Sequence, residues 1–109
     1  MARTSPYESG ELTDSIFLIL LATLEPIHGY RMMQVIHDMT EGSVEIGPAT
    51  MYTTLKKLKN AGWIAETNEE DSKISYQITD EGSLILLENF KRRISIVEIA
   101  KKHFIQEGK

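Results

Sequence analysis

At 109 residues, with a formal net charge of −4, 41% hydrophobic and 26% charged residues, the chain has the size and composition of one folded domain, which excludes a large multi-domain enzyme and a disordered polymer. It contains no cysteine, so disulfides, cysteine-ligated zinc, iron–sulfur clusters and a thiol nucleophile are ruled out. Its longest apolar run, Ile16 to Ala22, follows Glu8, Glu11 and Asp14 rather than a basic flank and is far below the roughly 20 residues of a membrane span, so a cytoplasmic chain without a membrane partner is expected.

Residues 1–11 include Pro6 and Gly10 and show no apolar period; they read as a tail or arm to which no structure is assigned. A first helix begins at Thr13 and ends at the Glu25-Pro26 break, because proline cannot continue it. Ile16, Phe17, Leu18, Ile19, Leu20, Leu21 and Leu24 occupy almost every direction of its wheel. A helix apolar all round must be covered on more than one side, and a second copy of the chain is the economical cover. Ile27-His28-Gly29 reads as a turn. Tyr30 to about Thr40 is a second helix, with Met32, Val35, Ile36 and Met39 on one face and Arg31, Gln34 and Asp38 on the other.

After Gly42 and the extended stretch Val44 to Ile46, Pro48 fits the first position of a third helix that runs to Gly62. Met51, Leu55 and Leu58 form its core stripe; Ala49, Thr53, Lys56 and Asn60 point away. Ile64 to Asn68 and Ile74 to Ile78 pair as a hairpin across the polar tip Glu69 to Lys73. Thr79 then caps a last helix that carries Asp80 and Glu81 in its first turn and continues nearly to Gln106. Along it Leu87, Phe90, Ile94, Val97 and Phe104 make a broken three-four stripe suited to an intermolecular helix pair. Phe17, Leu20 and Leu21 of the first helix are the expected counterparts in a homodimer.

The fold class is therefore mostly α with a small β-hairpin: a winged helix-turn-helix over residues 12–82, followed by a long C-terminal dimerisation helix over 83–109. In that architecture the helix after the turn enters the major groove. The acidic total argues against a nucleic-acid partner, but Gly47 to Gly62 carries Lys56, Lys57 and Lys59 and no acid, so a local basic face survives. Small or hydroxylated residues at the start of this helix, Ala49, Thr50 and Thr53, let backbone approach base edges while lysines neutralise phosphates. A merely solvated lysine face is the competing reading.

Three sets of residues carry a family resemblance: Ile19 to Leu24 with Pro26 to Tyr30; Pro48 to Tyr52 with Leu55 to Leu58 and Gly62; and Tyr76 to Gly82. In this order and spacing the chain resembles the PadR-type transcriptional regulators. The resemblance implies a dimeric repressor whose C-terminal helix packs on the partner's N-terminal helix, acting on the double-stranded DNA of a promoter operator. It places Thr50, Tyr52, Thr53, Lys56 and Lys57 on the recognition helix and Lys73 on the wing, and it names a small aromatic effector as a candidate partner. The wing departs from many relatives in carrying Glu69-Glu70-Asp71 with Lys73 as its one cation, which weakens the case for phosphate contact there. The only tryptophan is Trp63, not one in the last helix, so a drug pocket of the type seen in some relatives is not supported.

His28, His37 and His103 show no metal-ligand spacing, and there is no sequence motif for a nucleophile, a phosphate loop or paired acids. Neither metal, cofactor nor enzymatic activity is expected. The rival reading is a winged-helix dimer that binds proteins and not DNA.

Overall fold

The computed structural model describes residues 5–67 and 73–105. Its elements are α1 (Pro6–Ser9), α2 (Asp14–Ala22), β1 (Ile27–His28), α3 (Gly29–Met39), α4 (Pro48–Asn60), β2 (Ile64–Thr67), β3 (Ser75–Ile78) and α5 (Asp80–Ile105). The order is that of a winged helix with a long terminal helix. The acidic tip Glu69-Glu70-Asp71 lies outside the described residues.

Three helices close the core. Ile16, Ile19 and Leu20 of α2, Met32 and Ile36 of α3, and Met51, Leu55 and Leu58 of α4 meet with Trp63, Ile64 and Leu86. Thr13 starts α2 by accepting from the Ile16 N–H at 3.2 Å, which satisfies one of the donors a helix start leaves unpaired. At the other end the fully buried Thr23 donates its hydroxyl to the Leu20 carbonyl at 2.8 Å. Its own carbonyl accepts from Ile78 N at 2.8 Å, tying α2 to the sheet.

Two local expectations change. Ile27–His28, read as a turn, is a short strand antiparallel to β3, with Ile27 opposite Tyr76 and His28 opposite Ser75, so the sheet has three strands in the order β1-β3-β2. The exposed edge of β3 offers the unpaired backbone groups that draw it in. The His28 ring secures the pairing, its Nδ1 lying 3.0 Å from Ser75 Oγ and 3.3 Å from the Ile74 carbonyl. The second change concerns the N-terminal segment, for which the sequence pattern predicts no structure. It forms α1, ends at Gly10, and seats the Tyr7 ring 5.8 Å from that of Trp63 and Leu12 at 8% exposure in the core.

The start of α5 is pressed against the end of α4. Thr79 Oγ1 accepts from Gly82 N at 3.0 Å and donates to the Gly62 carbonyl at 2.7 Å. A Cβ at Gly82 would overlap the Trp63 carbonyl. Gly82→Ala is therefore expected to cost about 1–3 kcal/mol, the usual penalty for overpacking a tight contact. Denaturant titration measures it, and unchanged stability would mean that this contact is not tight.

The molecule is long for its size: its radius of gyration is 16.0 Å and its extents are 59 × 34 × 27 Å, where a compact chain of this length has about 13 Å. The excess is α5. It buries only Gly82, Leu86 and Asn89, all in its first three turns, and the remainder projects with its apolar side chains open.

Candidate nucleic-acid interface

The rotation of α4 about its axis decides what it presents. Met51, Leu55 and Leu58, at 0%, 1% and 0% exposure, fix the inner face, which leaves Ala49, Thr50, Tyr52, Thr53, Lys56 and Lys57 all exposed on the outer one. Gly47 precedes the helix in extended backbone and Pro48 occupies its first turn, so no bulky cap screens this end.

Ion pairing then sorts the cations. Lys59 binds Glu66 of β2 at 2.8 Å, and the hydrogen bond and charge of that carboxylate hold its ammonium above the ordinary lysine range. Its charge is already matched within the chain. Elsewhere Arg93 meets Asp14 at 2.8 Å, Arg92 meets Glu11 at 3.7 Å and Lys101 meets Glu98 at 3.8 Å. Lys56, Lys57, Lys73 and Arg31, like Lys91 and Lys102 on α5, enter no ion pair among the described residues. The lysine cluster read from the sequence thus keeps two of its three members as free charges and gains an arginine.

Arg31 was missed because it belongs to α3, where it read only as part of a polar face. The structure gathers it with Tyr30 and Gln34, Tyr52 of α4, Tyr76 of β3 and Lys73 just before that strand, around an open groove of about 750 Å³. Gly29 makes the approach possible, since a Cβ there would stand 2.7 Å from the Tyr52 ring. Arg31 donates to the Gln34 side-chain oxygen at 3.1 Å, which orients its guanidinium without neutralising it. Burial, and after it the Glu66 carboxylate, push the Tyr76 phenol above its usual value. It therefore stays a neutral hydroxyl able to donate. Such a groove, with Arg31 and Lys73 in its lining, neither in an ion pair among the described residues, and phenolic hydroxyls at its walls, suits a phosphate–sugar backbone alongside an exposed helix.

The second surface runs along α2 and α5. Phe17, Leu21, Leu24, Leu86, Leu87 and Phe90 line an apolar hollow of about 340 Å³, and Phe17, Phe90, Ile94 and Val97 continue it toward the free end of α5. Phe90, Ile94 and Val97 are 50%, 47% and 54% exposed, and Phe104 lies farther along the helix at 82%. Leu20 departs from the expected set. It is 0% exposed because the inner face of α2 turns it into the protomer's own core, out of reach of a partner.

No group of three His, Asp or Glu side chains able to hold a metal occurs among the described residues, and none of their helices is long and apolar enough to cross a membrane.

Comparison with known proteins agrees with this architecture. The chain is 30% identical over 89 residues to the transcriptional regulator YqjI of Escherichia coli (strain K12), a match covering 82% of this chain and 42% of that protein. The chain thus spans less than half the length of that relative. Its fold matches the crystal structure of a PadR family transcriptional regulator from Eggerthella lenta DSM 2243, with a TM-score of 0.71 at 23% identity over 86% of this chain and 80% of that one. A PadR family regulator from Clostridium difficile R20291 aligns with a TM-score of 0.60 at 25% identity, covering 83% of this chain and 97% of that one. The model of the transcriptional regulator PadR-like family matches residues 17–88, from α2 into the first turns of α5. The chain belongs to the PadR-like family of transcriptional regulators.

Proposed function

We propose that the chain is a dimeric cytoplasmic repressor that binds an inverted-repeat operator, with α4 of each protomer in a major groove. Thr50, Tyr52 and Thr53 face the base edges, with Ala49 giving close approach; Lys56, Lys57 and Arg31 hold phosphates, and Lys73 reaches the flanking backbone. The observation that carries this reading is the charge at and beside α4: on an acidic chain, Lys56 and Lys57 lie exposed on the helix and Arg31 and Lys73 line the groove along it, none of them in an ion pair among the described residues. The second protomer covers the Phe17, Leu21, Leu87, Phe90, Ile94 and Val97 surface, with Phe104 at its far end. A two-fold axis then presents two copies of α4 to a symmetric site. A small aromatic effector that weakens this binding completes the cycle. No catalysis or cofactor is part of it.

The test is binding to the duplex upstream of the protein's own gene as NaCl is varied. Three or four phosphate contacts per protomer predict a log–log slope of about −5 to −7 for the dimer, at about −0.9 per contact. Footprints should show two equivalent half-sites, with centres about 10 base pairs or about twice that apart. Flat salt dependence and no footprint would leave the winged-helix dimer as a protein-binding module instead.

A further inference from the structure

Where α5 leaves the winged domain, the joint is polar. Asn89 is 5% exposed and all its hydrogen-bonding groups are engaged. Its Oδ1 accepts from Leu12 N at 2.9 Å, and its Nδ2 donates to the carbonyls of Gly10 at 2.8 Å and Ile85 at 2.9 Å. One turn farther, Arg93 donates to the Leu12 carbonyl at 3.2 Å, pairs with Asp14 at 2.8 Å and lies over the Phe17 ring at 4.3 Å. Two side chains of α5 therefore grip the backbone of the segment from Gly10 to Leu12. That segment is anchored to the domain at its other end by Tyr7 against Trp63.

Apolar contact at this joint is limited to Leu86 and the partly buried Ile85, next to the Gly82–Trp63 contact of the first turn. The one large apolar residue that α5 buries is Leu86, and hydrophobic burial is non-directional, whereas hydrogen bonds prefer narrow angles. The lever beyond the joint is long: Ile94 to Ile105 spans about 18 Å at about 1.5 Å per residue. A tilt of about 10° at Arg93 moves its end by about 3 Å, close to the 3.4 Å rise of one base pair along a strand.

We infer that Asn89 and Arg93 are positioning residues that fix the angle between α5 and the winged domain, and through it the half-site separation the dimer accepts. This rests on the dimeric reading above. It is tested with the full chain carrying Asn89→Ala and Arg93→Ala, on an operator selected by the wild type from a random duplex pool and rebuilt with its half-sites moved apart or together by single base pairs. The wild type is expected to lose about tenfold or more in affinity for a two-base-pair change, because the second head is then displaced and rotated about the duplex. The variant should lose no more than about threefold across the same series, with single half-site affinity unchanged, since a loose joint adapts to each spacing.

A readout without DNA exploits the absence of cysteine: Asn60→Cys introduces one spin label per protomer, and the distance distribution between heads should broaden in the variant. If the double substitution unfolds the chain, Arg93→Gln alone, which leaves the Asn89 bonds in place, must broaden that distribution. A variant with the wild-type spacing profile and distance width overturns the assignment while leaving the dimer intact. A wild type that sediments as a monomer overturns the dimeric reading first, and this inference with it.

Discussion

Phe90→Glu combined with Ile94→Glu is expected to turn a dimer into a folded monomer and to raise the dimer dissociation constant at least about a thousandfold. The two residues are 50% and 47% exposed in the isolated protomer, so neither holds its core. Full burial of such side chains is worth about 1.5–3 kcal/mol each, and a two-fold interface loses every contact twice. The glutamates add a larger penalty, because four carboxylates would have to enter an apolar contact without partners. Leu20→Ala supplies the contrast. That side chain is in the protomer's own core, so its truncation should lower unfolding stability by about 2–5 kcal/mol without a matching loss of association. Sedimentation and denaturant titration separate the two effects. A double glutamate variant that stays dimeric at micromolar concentration would show that α5 does not carry the interface.

The contrast between Phe90 and Leu20 also shows how far the sequence could be read. Spacing alone located Met51, Leu55 and Leu58, because an amphipathic helix declares its inner face by period. In α2 the apolar residues point everywhere, so no period separates the part facing the chain's own core from the part left open on the protomer's surface. Leu20 and Phe17 are indistinguishable until α3 and α4 are packed against one side. The N-terminal arm was opaque for a related reason. Its structure comes from Trp63, Asn89 and Arg93, far away in the chain, and nothing local to Tyr7 or Leu12 announces them. The pairing of Ile27–His28 with β3 likewise depends on a strand almost fifty residues later.

The proposed binding face divides in the same way. Lys56 and Lys57 are visible because the helix that carries them is visible. Lys59, two residues on, looks equivalent in the sequence, yet it is turned toward β2 and matched by Glu66. Arg31 looks like an ordinary solvated charge and becomes part of the groove only through the crossing of α3 and α4, where Gly29 admits the Tyr52 ring. Charge counting along a helix therefore cannot separate a cation held by a carboxylate from one without an ion pair, because that pairing is made between elements.

That sorting leads to the second large effect. Lys56→Ala, Lys57→Ala and Arg31→Ala are each expected to weaken binding to every duplex, operator or random, and to flatten the log–log salt slope by about 0.9 per lost contact, or about 1.8 for a symmetric dimer. Combining all three should remove most of the non-specific affinity, since phosphate neutralisation supplies nearly all of it. Lys59→Ala, the same chemical change on the same helix, should leave the slope close to that of the wild type, because its ammonium is already engaged by Glu66 and removing it frees a carboxylate rather than a phosphate site. Tyr52→Phe or Thr53→Ala should behave differently again, costing about 1–3 kcal/mol on the operator and little on random DNA where a base-edge contact is lost. Anisotropy titrations at several NaCl concentrations on both duplexes resolve the three classes. If Lys59→Ala flattens the slope as much as Lys56→Ala does, the charge assignment fails: the Lys59 ammonium would then leave Glu66 for a phosphate, and its ion pair would not have removed it from the binding face.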